Sequence, residues 1–377
     1  MRVLHIIPYL IKGGAERLCL DMVRCMGKHK NIEVRLAVLN DNNEFKAEYS
    51  DVEYVILNDS IVPSVFGEWQ VDVKSLDKLI TDFNPDIIHS HLFEADFLAH
   101  YKANPKITYF THFHDNMHQL KNFAWKDVLS KKRLTELYEK QFMIKQYKKV
   151  NNHFIAISEH TDEYLRKVLP ESLKKNIHFL SNAIDTSLFM NDRVRIPEGL
   201  LRLINIASFV EKKNHKFLVD VAVELKQRAI AFELTLIGDG ALKNDVREYA
   251  KKNGCAEQIK FLGNLDNVNK LLAEADIYVH SATYEPFGLV LVEAMAAGLP
   301  VVCLDGGGNR DIIEQGKNGY ILKEQNSKLF ADDILKIYAS KQLYANMSTY
   351  ARISVKKYDI NNYTDKLIEL YNHAVKN

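Results

Sequence analysis

Two glutamates late in the chain, Glu285 and Glu293, have the types and spacing that suit a binding or catalytic site. They lie eight positions apart in EPFGLVLVE, which continues as AMAAGLPVV, and the pattern predicts a helix with Gly288 just inside its start and Gly298 and Pro300 at its end. A helix N-terminus presents unpaired N–H groups and a partial positive charge, so it suits a phosphate or a sugar oxygen. A carboxylate before the helix can hold sugar hydroxyls, and one two turns along can bind a vicinal diol such as a ribose. An ordinary amphipathic helix with two exposed glutamates is the alternative interpretation.

A pair of glycines, Gly13 and Gly14, follows the first predicted strand in the run KGGAER. Glycines at this place let the backbone approach a ligand closely, although a simple tight turn would also need them. The run matches neither GxGxxG nor the GxxxxGK[ST] of a phosphate-binding loop. A dinucleotide dehydrogenase and a P-loop NTPase are therefore disfavoured.

Histidines are concentrated at the ends of two predicted strands. His89 and His91 end one strand, and His112 and His114 end the next. Residues two apart in a strand share a face, so imidazoles could converge on a zinc ion. No carboxylate or thiolate spacing supports such a site, and a packed, hydrogen-bonded structural role is the alternative for His112.

Short apolar, β-rich runs alternate with helical patterns along the chain and must position these residues. The predicted strands of the first series are RVLHII, IEVRLAVL, EYVIL, PDIIHSH, KITYFTHF, HFIAIS and NIHFL. The second series, after RIPEGL, contains LRLINIAS, FELTLIG, IKFLG, DIYVHS and PVVCLDG. Such alternation predicts an α/β fold of two Rossmann-like, doubly wound parallel-sheet domains, whose strand carboxyl ends face a central cleft.

The composition narrows the class of protein further. The 377 residues contain 50 basic and 49 acidic side chains, a net charge of +1, so a nucleic-acid partner is not expected. No apolar run is long enough to span a membrane. The four cysteines show no CxxC spacing, which is typical of reduced thiols in a cytosolic protein.

Six motifs in order along the chain together resemble one family. They are GGAER, THFHD, SNAIDTSLF, IASFVEKKN, EPFGLVLVEAMAAGLPVV and DGGGNRDII. This chain is similar to the retaining glycosyltransferases of family 4, the glycosyl transferases group 1, which have the GT-B fold. The resemblance implies an N-terminal acceptor domain over 1–185, a C-terminal donor domain over 186–359, and a terminal helix, 360–377, that packs back on the first domain.

The resemblance also implies roles for particular residues. The catalytic set would be Glu285, Lys213 and His114. The donor-binding set would be Gly13, Gly14, Ser208, Leu265, Phe287, Gly288, Leu289 and Glu293. Ser208 stands where the family usually has an arginine, so one of two expected phosphate cations is missing. Lys213 should then be the main cation on the diphosphate, helped by Lys212 or Arg310.

The activity implied is transfer of a sugar, with retention, from a nucleotide-diphosphate sugar to a glycan or lipid-linked acceptor in cell-surface polysaccharide biosynthesis. A UDP-sugar is favoured over a GDP-sugar, and neither a metal nor another cofactor is expected. Alternatives on the same architecture are a sugar-nucleotide epimerase, a glycosyl phosphorylase, or a non-catalytic subunit that binds a sugar nucleotide. Products formed from the donor alone would distinguish an epimerase, which needs no acceptor.

Basic residues crowd one stretch of the predicted first domain, where a long, Lys-rich helix is predicted over about 127–148. They are Lys121, Lys126, Lys131, Lys132, Arg133, Lys140, Lys145, Lys148 and Lys149. A solvated helix face is the ordinary interpretation. The functional alternative is docking on an anionic membrane to reach a lipid-linked glycan. The expected location is cytoplasmic, with peripheral association at the inner face of the cell membrane under that alternative.

Overall fold

The chain forms two compact α/β units. The computed structural model describes residues 1–62, 69–123, 130–190, 196–265 and 267–376. The first unit combines Met1–Ala183 with Ile360–Asn377, and the second is Ile184–Asp359. The sequence prediction put the first boundary at 185/186 and the start of the terminal helix at residue 360.

The first unit is built on a seven-stranded sheet with the order β3-β2-β1-β6-β7-β8-β9, parallel throughout. Its strands are β1 (Arg2–Ile7), β2 (Glu33–Val38), β3 (Tyr54–Ile56), β6 (Ile87–His91), β7 (Thr108–Phe113), β8 (Asn151–Ala156) and β9 (Ile177–Phe179). A separate antiparallel pair consists of β4 (Ser60–Val62) and β5 (Gln70–Asp72). The strand order reverses between β1 and β6, which makes their carboxyl ends the switch point where ligands bind in such sheets.

Helices cover both faces of this sheet, so β6 and β7 are buried along their whole length. The helices are α1 (Gly14–Met26), α2 (Lys74–Phe83), α3 (Leu92–Tyr101), α4 (Lys131–Tyr147), α5 (Glu159–Val168), α6 (Glu171–Lys174) and α13 (Ile360–Lys376). The terminal helix α13 shares a core with α1, where Leu367 and Tyr371 pack among the buried side chains of Leu18 and Met22.

The second unit repeats the architecture with a six-stranded parallel sheet in the order β12-β11-β10-β13-β14-β15. Its strands are β10 (Leu201–Ile206), β11 (Phe232–Ile237), β12 (Ile259–Gly263), β13 (Ile277–His280), β14 (Val301–Leu304) and β15 (Gly319–Leu322). Its helices are α7 (His215–Gln227), α8 (Lys243–Lys252), α9 (Val268–Glu274), α10 (Leu289–Ala296), α11 (Ser327–Ala339) and α12 (Lys341–Ser354). The predicted α/β class with two parallel sheets is therefore confirmed.

Some elements differ from the sequence prediction. The short pair β4–β5, the edge strand β15 and helix α3 were not predicted. The long basic helix begins at Lys131 where the structure describes it, whereas 127–129, like Lys126, lie outside the described residues. Among the described residues, no helix combines the length and apolar character needed to cross a membrane. All four cysteines are described, and each is a buried thiol.

Candidate functional site

The loop before α10 fixes the position of Glu285. Gly288 caps the helix at φ +106°, outside its first turn rather than inside it as predicted, and α10 begins at Leu289. A Cβ on Gly288 would lie 2.8 Å from Leu291 Cδ1, a methyl group that can move aside, so it is the backbone conformation at this position that favours glycine. Glu285 N–H donates to the carbonyl of Gly306 at 2.7 Å, and Gly308 N–H donates to the carbonyl of Glu285 at 2.8 Å. The backbone of Glu285 is thus tied to the glycine loop after β14.

Two cationic or hydrogen-donating side chains converge on one oxygen of Glu285. Lys213 Nζ lies 2.6 Å from Glu285 Oε2, and His280 Nε2 lies 3.0 Å from the same oxygen. Burial alone would raise the pKa of the Glu285 carboxyl, but Lys213 and the hydrogen bond from His280 outweigh it and hold the pKa at about 2. Burial lowers the pKa of His280, so a neutral imidazole donates its Nε2–H. The result is a buried, ionised carboxylate of fixed orientation.

Lys213 is positioned by a short 3-10 helix, Glu211–Lys213, that follows β10. The hydroxyl of Ser281 donates to the carbonyl of Lys213 at 2.7 Å, and Thr283 N–H donates to the carbonyl of Lys212 at 2.9 Å. These bonds hold the lysine loop against the segment that follows β13. His280 is the last residue of β13, directly before this segment, so the same strand end positions both partners of Glu285.

The glycine loop after β14 packs directly on the segment that carries Glu285. A Cβ on Gly308 would lie 1.9 Å from the backbone oxygen of Pro286, which no side chain could relieve. Asn309 is fully buried, and its side chain accepts from Gly306 N–H at 2.9 Å. Arg310 Nε donates to both carboxylate oxygens of Asp305 at 2.7 Å. Its charge is therefore already matched by a neighbouring carboxylate.

The other predicted donor residues of this unit fall into two groups. Phe287 is buried beneath the loop, and Glu293 is buried on α10. Ser208 and Leu265 are exposed in loops after β10 and β12. The structure thus brings Glu285, Lys213 and the residues around Gly288 together. In the described part of the chain, no side-chain hydrogen bond joins Ser208 or Leu265 to Glu285 or Lys213.

In the first unit, the predicted glycine pair forms the start of α1. Gly13 is the N-cap and Gly14 the first helical residue. Glu16, which the sequence prediction missed, lies so close that a Cβ on Gly13 would come within 2.3 Å of its Oε2. Burial, with help from Glu44, raises the pKa of the Glu16 carboxyl to about 7. Its position in the first helical turn, two residues after the glycine pair, was the signal available in the sequence.

His114 belongs to a chain of hydrogen-bonded histidines in the first unit. His5 Nδ1 lies 2.9 Å from His91 Nε2, and His91 Nδ1 lies 2.9 Å from His114 Nε2. His89 Nδ1 is hydrogen-bonded to the hydroxyl of Tyr371 on α13. Burial lowers the pKa of His5 and of His114 to about 3, so both are neutral. The chain fixes the orientation of the His114 ring.

The same cluster contains the described groups that could hold a metal ion. The ligand atoms of His89, His91 and His112 lie within 4.8 Å of one another, as do those of His5, Cys19 and His91. The imidazole rings of His89 and His91 are stacked, with 4.5 Å between their centroids. His91 already uses both ring nitrogens in hydrogen bonds. That the reaction needs no metal stays a prediction.

His280 was also missed by the sequence analysis. It is the last residue of β13 and lies five positions before Glu285. A histidine at the carboxyl end of a parallel strand faces the ligand-binding edge of the sheet, and that was the only signal available. Its partner could be identified only from the fold, because the loop after β13 turns back on itself.

Two units, each built on a parallel sheet with helices on both faces, are the architecture of the GT-B glycosyltransferases, and comparison with known proteins identifies the family. The family model described as Glycosyltransferase Family 4 matches residues 12–188, and the model described as Glycosyl transferases group 1 matches residues 189–354. The chain belongs to the group 1 glycosyltransferases of the GT-B fold.

Some relatives align with most of this chain, and others with about half of it. EpsF of Bacillus subtilis (strain 168) is 29% identical over 318 residues, 81% of this chain and 79% of EpsF. The lipopolysaccharide core biosynthesis glycosyltransferase LpsE of Rhizobium meliloti (strain 1021) is 28% identical over 46% of this chain and 51% of LpsE. The structure of Anabaena Alr3699/HepE in complex with UDP has a TM-score of 0.77 at 19% identity, over 98% of this chain and 99% of that one. HepE has also been solved with UDP-glucose, with a TM-score of 0.77 at 18% identity and 98% of each chain covered.

Proposed function

We propose that this glycosyltransferase moves a sugar, with retention of the anomeric configuration, from a UDP-sugar to a glycan or lipid-linked acceptor in cell-surface polysaccharide biosynthesis. The observation that carries the proposal is the Lys213–Glu285–His280 arrangement beside the cap of α10. A fixed carboxylate, a cation and free helix amides are what a sugar attached to a diphosphate requires.

Each group has a distinct part in the proposed reaction. The bond between the anomeric carbon and the phosphate oxygen breaks, and the acceptor oxygen bonds to that carbon on the same face. The acceptor proton passes to the leaving phosphate oxygen, so UDP and the glycoside are the products. Glu285 Oε2 is held by Lys213 and His280, and Oε1 would accept from a donor hydroxyl. Lys213 and the amides of Phe287, Gly288 and Leu289 would stabilise the charge that grows on the phosphate.

We further propose that the reaction needs no metal ion. A lysine and a helix N-terminus supply positive charge where a divalent cation would otherwise be required. Ser208, in place of the family's usual arginine, adds a hydroxyl but no charge. Lys213 therefore has the larger share of this stabilisation, and Glu293 is proposed to bind the ribose.

The choice of UDP and of a polysaccharide product is supported by the relatives. HepE was solved with UDP and with UDP-glucose, and LpsE is named for lipopolysaccharide core biosynthesis. We extend both properties to this chain as part of the proposal. The sugar transferred and the linkage formed are left to experiment.

We also propose that the protein is cytoplasmic and lies peripherally at the inner face of the cell membrane. Exposed lysines surround α4 in the described part of the first unit: Lys121, Lys131, Lys132, Lys145, Lys148 and Lys149. Beside them, a cavity of about 470 Å³ is lined by apolar side chains such as Phe123, Leu137 and Ile144. A basic rim around an apolar surface is the combination that binds anionic lipid.

A nucleotide-sugar panel tests the proposed activity. The full chain is incubated in EDTA with UDP- and GDP-sugars, and thermal unfolding and release of the nucleotide are measured. UDP at a hundred times its Kd should stabilise the protein by about 2.7 kcal/mol, and one UDP-sugar should be consumed slowly without acceptor. Conversion of that donor into an isomeric UDP-sugar would instead identify an epimerase, and binding without any consumption would identify a non-catalytic subunit.

A further inference from the structure

Histidines on two neighbouring strands of the first unit lie on one face of its sheet. His5 on β1 is in register with His89 on β6, and His91 follows His89 by two residues. Because side chains two apart on a strand share a face, all three imidazoles lie on the same side. Val3, two residues before His5, packs in one core with Cys19 of α1. The face that carries the histidines is therefore the face that α1 covers.

The side chains of His5, Cys19 and His91 form a donor set that suits a soft metal ion. One ligand atom of each lies within 4.8 Å of the other two, and all three residues are fully buried. A tetrahedral zinc ion holds imidazole nitrogens at about 2.0–2.1 Å and thiolate sulfur at about 2.3 Å, so two such nitrogens lie roughly 3.4 Å apart.

The nitrogens of His5 and His91 already face one another. His5 Nδ1 lies 2.9 Å from His91 Nε2, with one hydrogen between them. Since zinc would place them roughly 3.4 Å apart, the rings need to separate by only about 0.5 Å for the ion to replace that hydrogen. The displaced hydrogen moves to the other nitrogen of its own ring, so both ligands stay neutral.

Charge favours this donor set over the neighbouring group of His89, His91 and His112, whose ligand atoms also lie within 4.8 Å of one another. Three neutral imidazoles would leave both positive charges of a zinc ion uncompensated in the protein interior, which is strongly unfavourable. Cys19 adds a thiolate, which cancels one of them. Burial raises the pKa of the Cys19 thiol, so the thiol is protonated before the ion binds. Zinc therefore replaces that proton, and one H⁺ is released for each ion bound.

His114 provides the outer hydrogen bond that metal-binding histidines usually make. With zinc on Nε2 of His91, the His91 ring carries its hydrogen on Nδ1, which lies 2.9 Å from His114 Nε2. A bond of this kind fixes the tautomer and the orientation of a metal ligand. The chain of His5, His91 and His114 thus already contains both a ligand pair and its supporting contact.

We propose that His5, Cys19 and His91 bind one Zn²⁺ ion inside the first unit, where the ion links β1, β6 and α1. The ion is structural, because its ligands are enclosed and differ from the residues assigned to the nucleotide-sugar donor. No step of the proposed sugar transfer involves it. Exchange of the ion requires α1 to separate locally from the sheet, so it stays bound in the EDTA used for turnover measurements.

Metal analysis of the untagged full chain tests the proposal. The protein is produced in zinc-supplemented medium and dialysed against EDTA, and its zinc content is measured by mass spectrometry after acid digestion. We expect about one zinc ion per chain, and at least roughly tenfold less in Cys19→Ala and in His91→Asn. An unmodified chain without zinc, or Cys19→Ala with as much zinc as the unmodified chain, overturns the proposal.

His112→Asn is the matched control, because it removes a fully buried imidazole of the same cluster that is not a proposed ligand. It should keep its zinc, and circular dichroism shows which variants fold. Loss of zinc from His112→Asn but not from Cys19→Ala would place the ion in the neighbouring group and overturn this assignment.

Cobalt gives a measurement on the unmodified chain that does not depend on the folding of any variant. The protein is produced in cobalt-supplemented medium, and its absorption spectrum is recorded. A tetrahedral Co²⁺ spectrum with a thiolate-to-metal charge-transfer band is expected, because Cys19 is the only sulfur in the proposed donor set. Bound cobalt without that band overturns the proposal.

Discussion

At the scale of single residues, Glu285 differs from an ordinary surface glutamate because its partners hold it ionised and oriented before any substrate arrives. Lys213 and His280 meet the same carboxylate oxygen, and the side chain is almost fully enclosed. With its pKa near 2, the carboxyl does not titrate at working pH. In the proposed reaction Glu285 therefore accepts hydrogen bonds rather than transferring protons.

We expect Glu285→Gln to lower kcat about ten- to hundredfold. A hydrogen bond to a charged group contributes about 1.5–3 kcal/mol, and each 1.36 kcal/mol is a tenfold change in rate. UDP affinity should change little, which separates a catalytic loss from a lost binding contact. Glu257→Gln, an exposed site of the same unit, serves as the control. Turnover within twofold of the unmodified enzyme would remove Glu285 from the catalytic set.

Lys213→Ala should reduce turnover more than Arg310→Ala does. Both cations are paired with a carboxylate, Lys213 with Glu285 and Arg310 with Asp305, but the Lys213 side chain is only 16% exposed whereas that of Arg310 is 63% exposed. Water therefore screens the charge of Lys213 less, and in the proposed site that charge lies beside the diphosphate. Measuring kcat and KM for the UDP-sugar in both variants tests this prediction. The loss should appear mainly in kcat, because the negative charge on the phosphate grows as the bond breaks. A silent Lys213→Ala together with a damaging Arg310→Ala would mean that the phosphate site is built around the loop at 306–308.

At the scale of elements, the site depends on three backbone segments packed without space between them. The loop after β14, the segment before α10 and the lysine loop after β10 are joined by direct backbone hydrogen bonds. Glycine is required where two of these backbones touch. The site is therefore expected to be sensitive to changes in the loops as well as in its side chains.

Gly308→Ala should destabilise the second unit and reduce activity. Its Cβ would overlap the backbone oxygen of Pro286, so one of the two loops must move, and Glu285 with it. We expect a loss of about 1–3 kcal/mol, typical of overpacking, measured by denaturant unfolding. Gly254→Asn is the control, because nothing lies within 4 Å of a Cβ there and asparagine tolerates its φ of +69°. An unchanged midpoint for Gly308→Ala would show that the loops separate easily.

The parallel sheets and most helices could be predicted because their apolar periodicity is local. The run PDIIHSH predicts a strand, and β6 is buried along its whole length, as a central strand of a parallel sheet should be. The strands β4, β5 and β15 are too short to show a periodic pattern of apolar residues. They form because a neighbouring strand provides hydrogen-bond partners for their backbone. Likewise, the motif EPFG identified Glu285 as a candidate site residue. Its hydrogen bond with His280 depends on the path of the loop after β13, which the sequence does not show. Glu16 and the histidine chain are set by packing between elements distant in sequence.

At the scale of the whole molecule, charge is balanced overall but not locally. The net charge is +1, yet the surface of α4 and its neighbours is strongly basic. Since lipid headgroups respond to local rather than net charge, the protein can be nearly neutral and still bind an anionic surface.

We expect binding to vesicles to rise with their content of anionic lipid and to fall with salt. Replacing Lys145 and Lys148 with glutamine should weaken binding by about 2 kcal/mol, roughly thirtyfold, at about 1 kcal/mol for each lysine. Sedimentation with vesicles measures it, and the same change at Lys251 and Lys252 on α8 is the control. Equal binding to neutral and anionic vesicles would contradict membrane docking and leave the basic stretch as a solvated face.

In the proposed reaction, one metal-independent site organised by Lys213 and Glu285 transfers a sugar with retention. The most direct measurement follows the anomeric proton of the product by NMR, with the full chain, the UDP-sugar selected by the panel and an acceptor glycoside, in excess EDTA. We predict UDP release matched by an α-glycoside from an α-linked donor, at a rate that added Mg²⁺ or Mn²⁺ does not change. A β-glycoside, or turnover that EDTA abolishes and a divalent metal restores, would contradict the account.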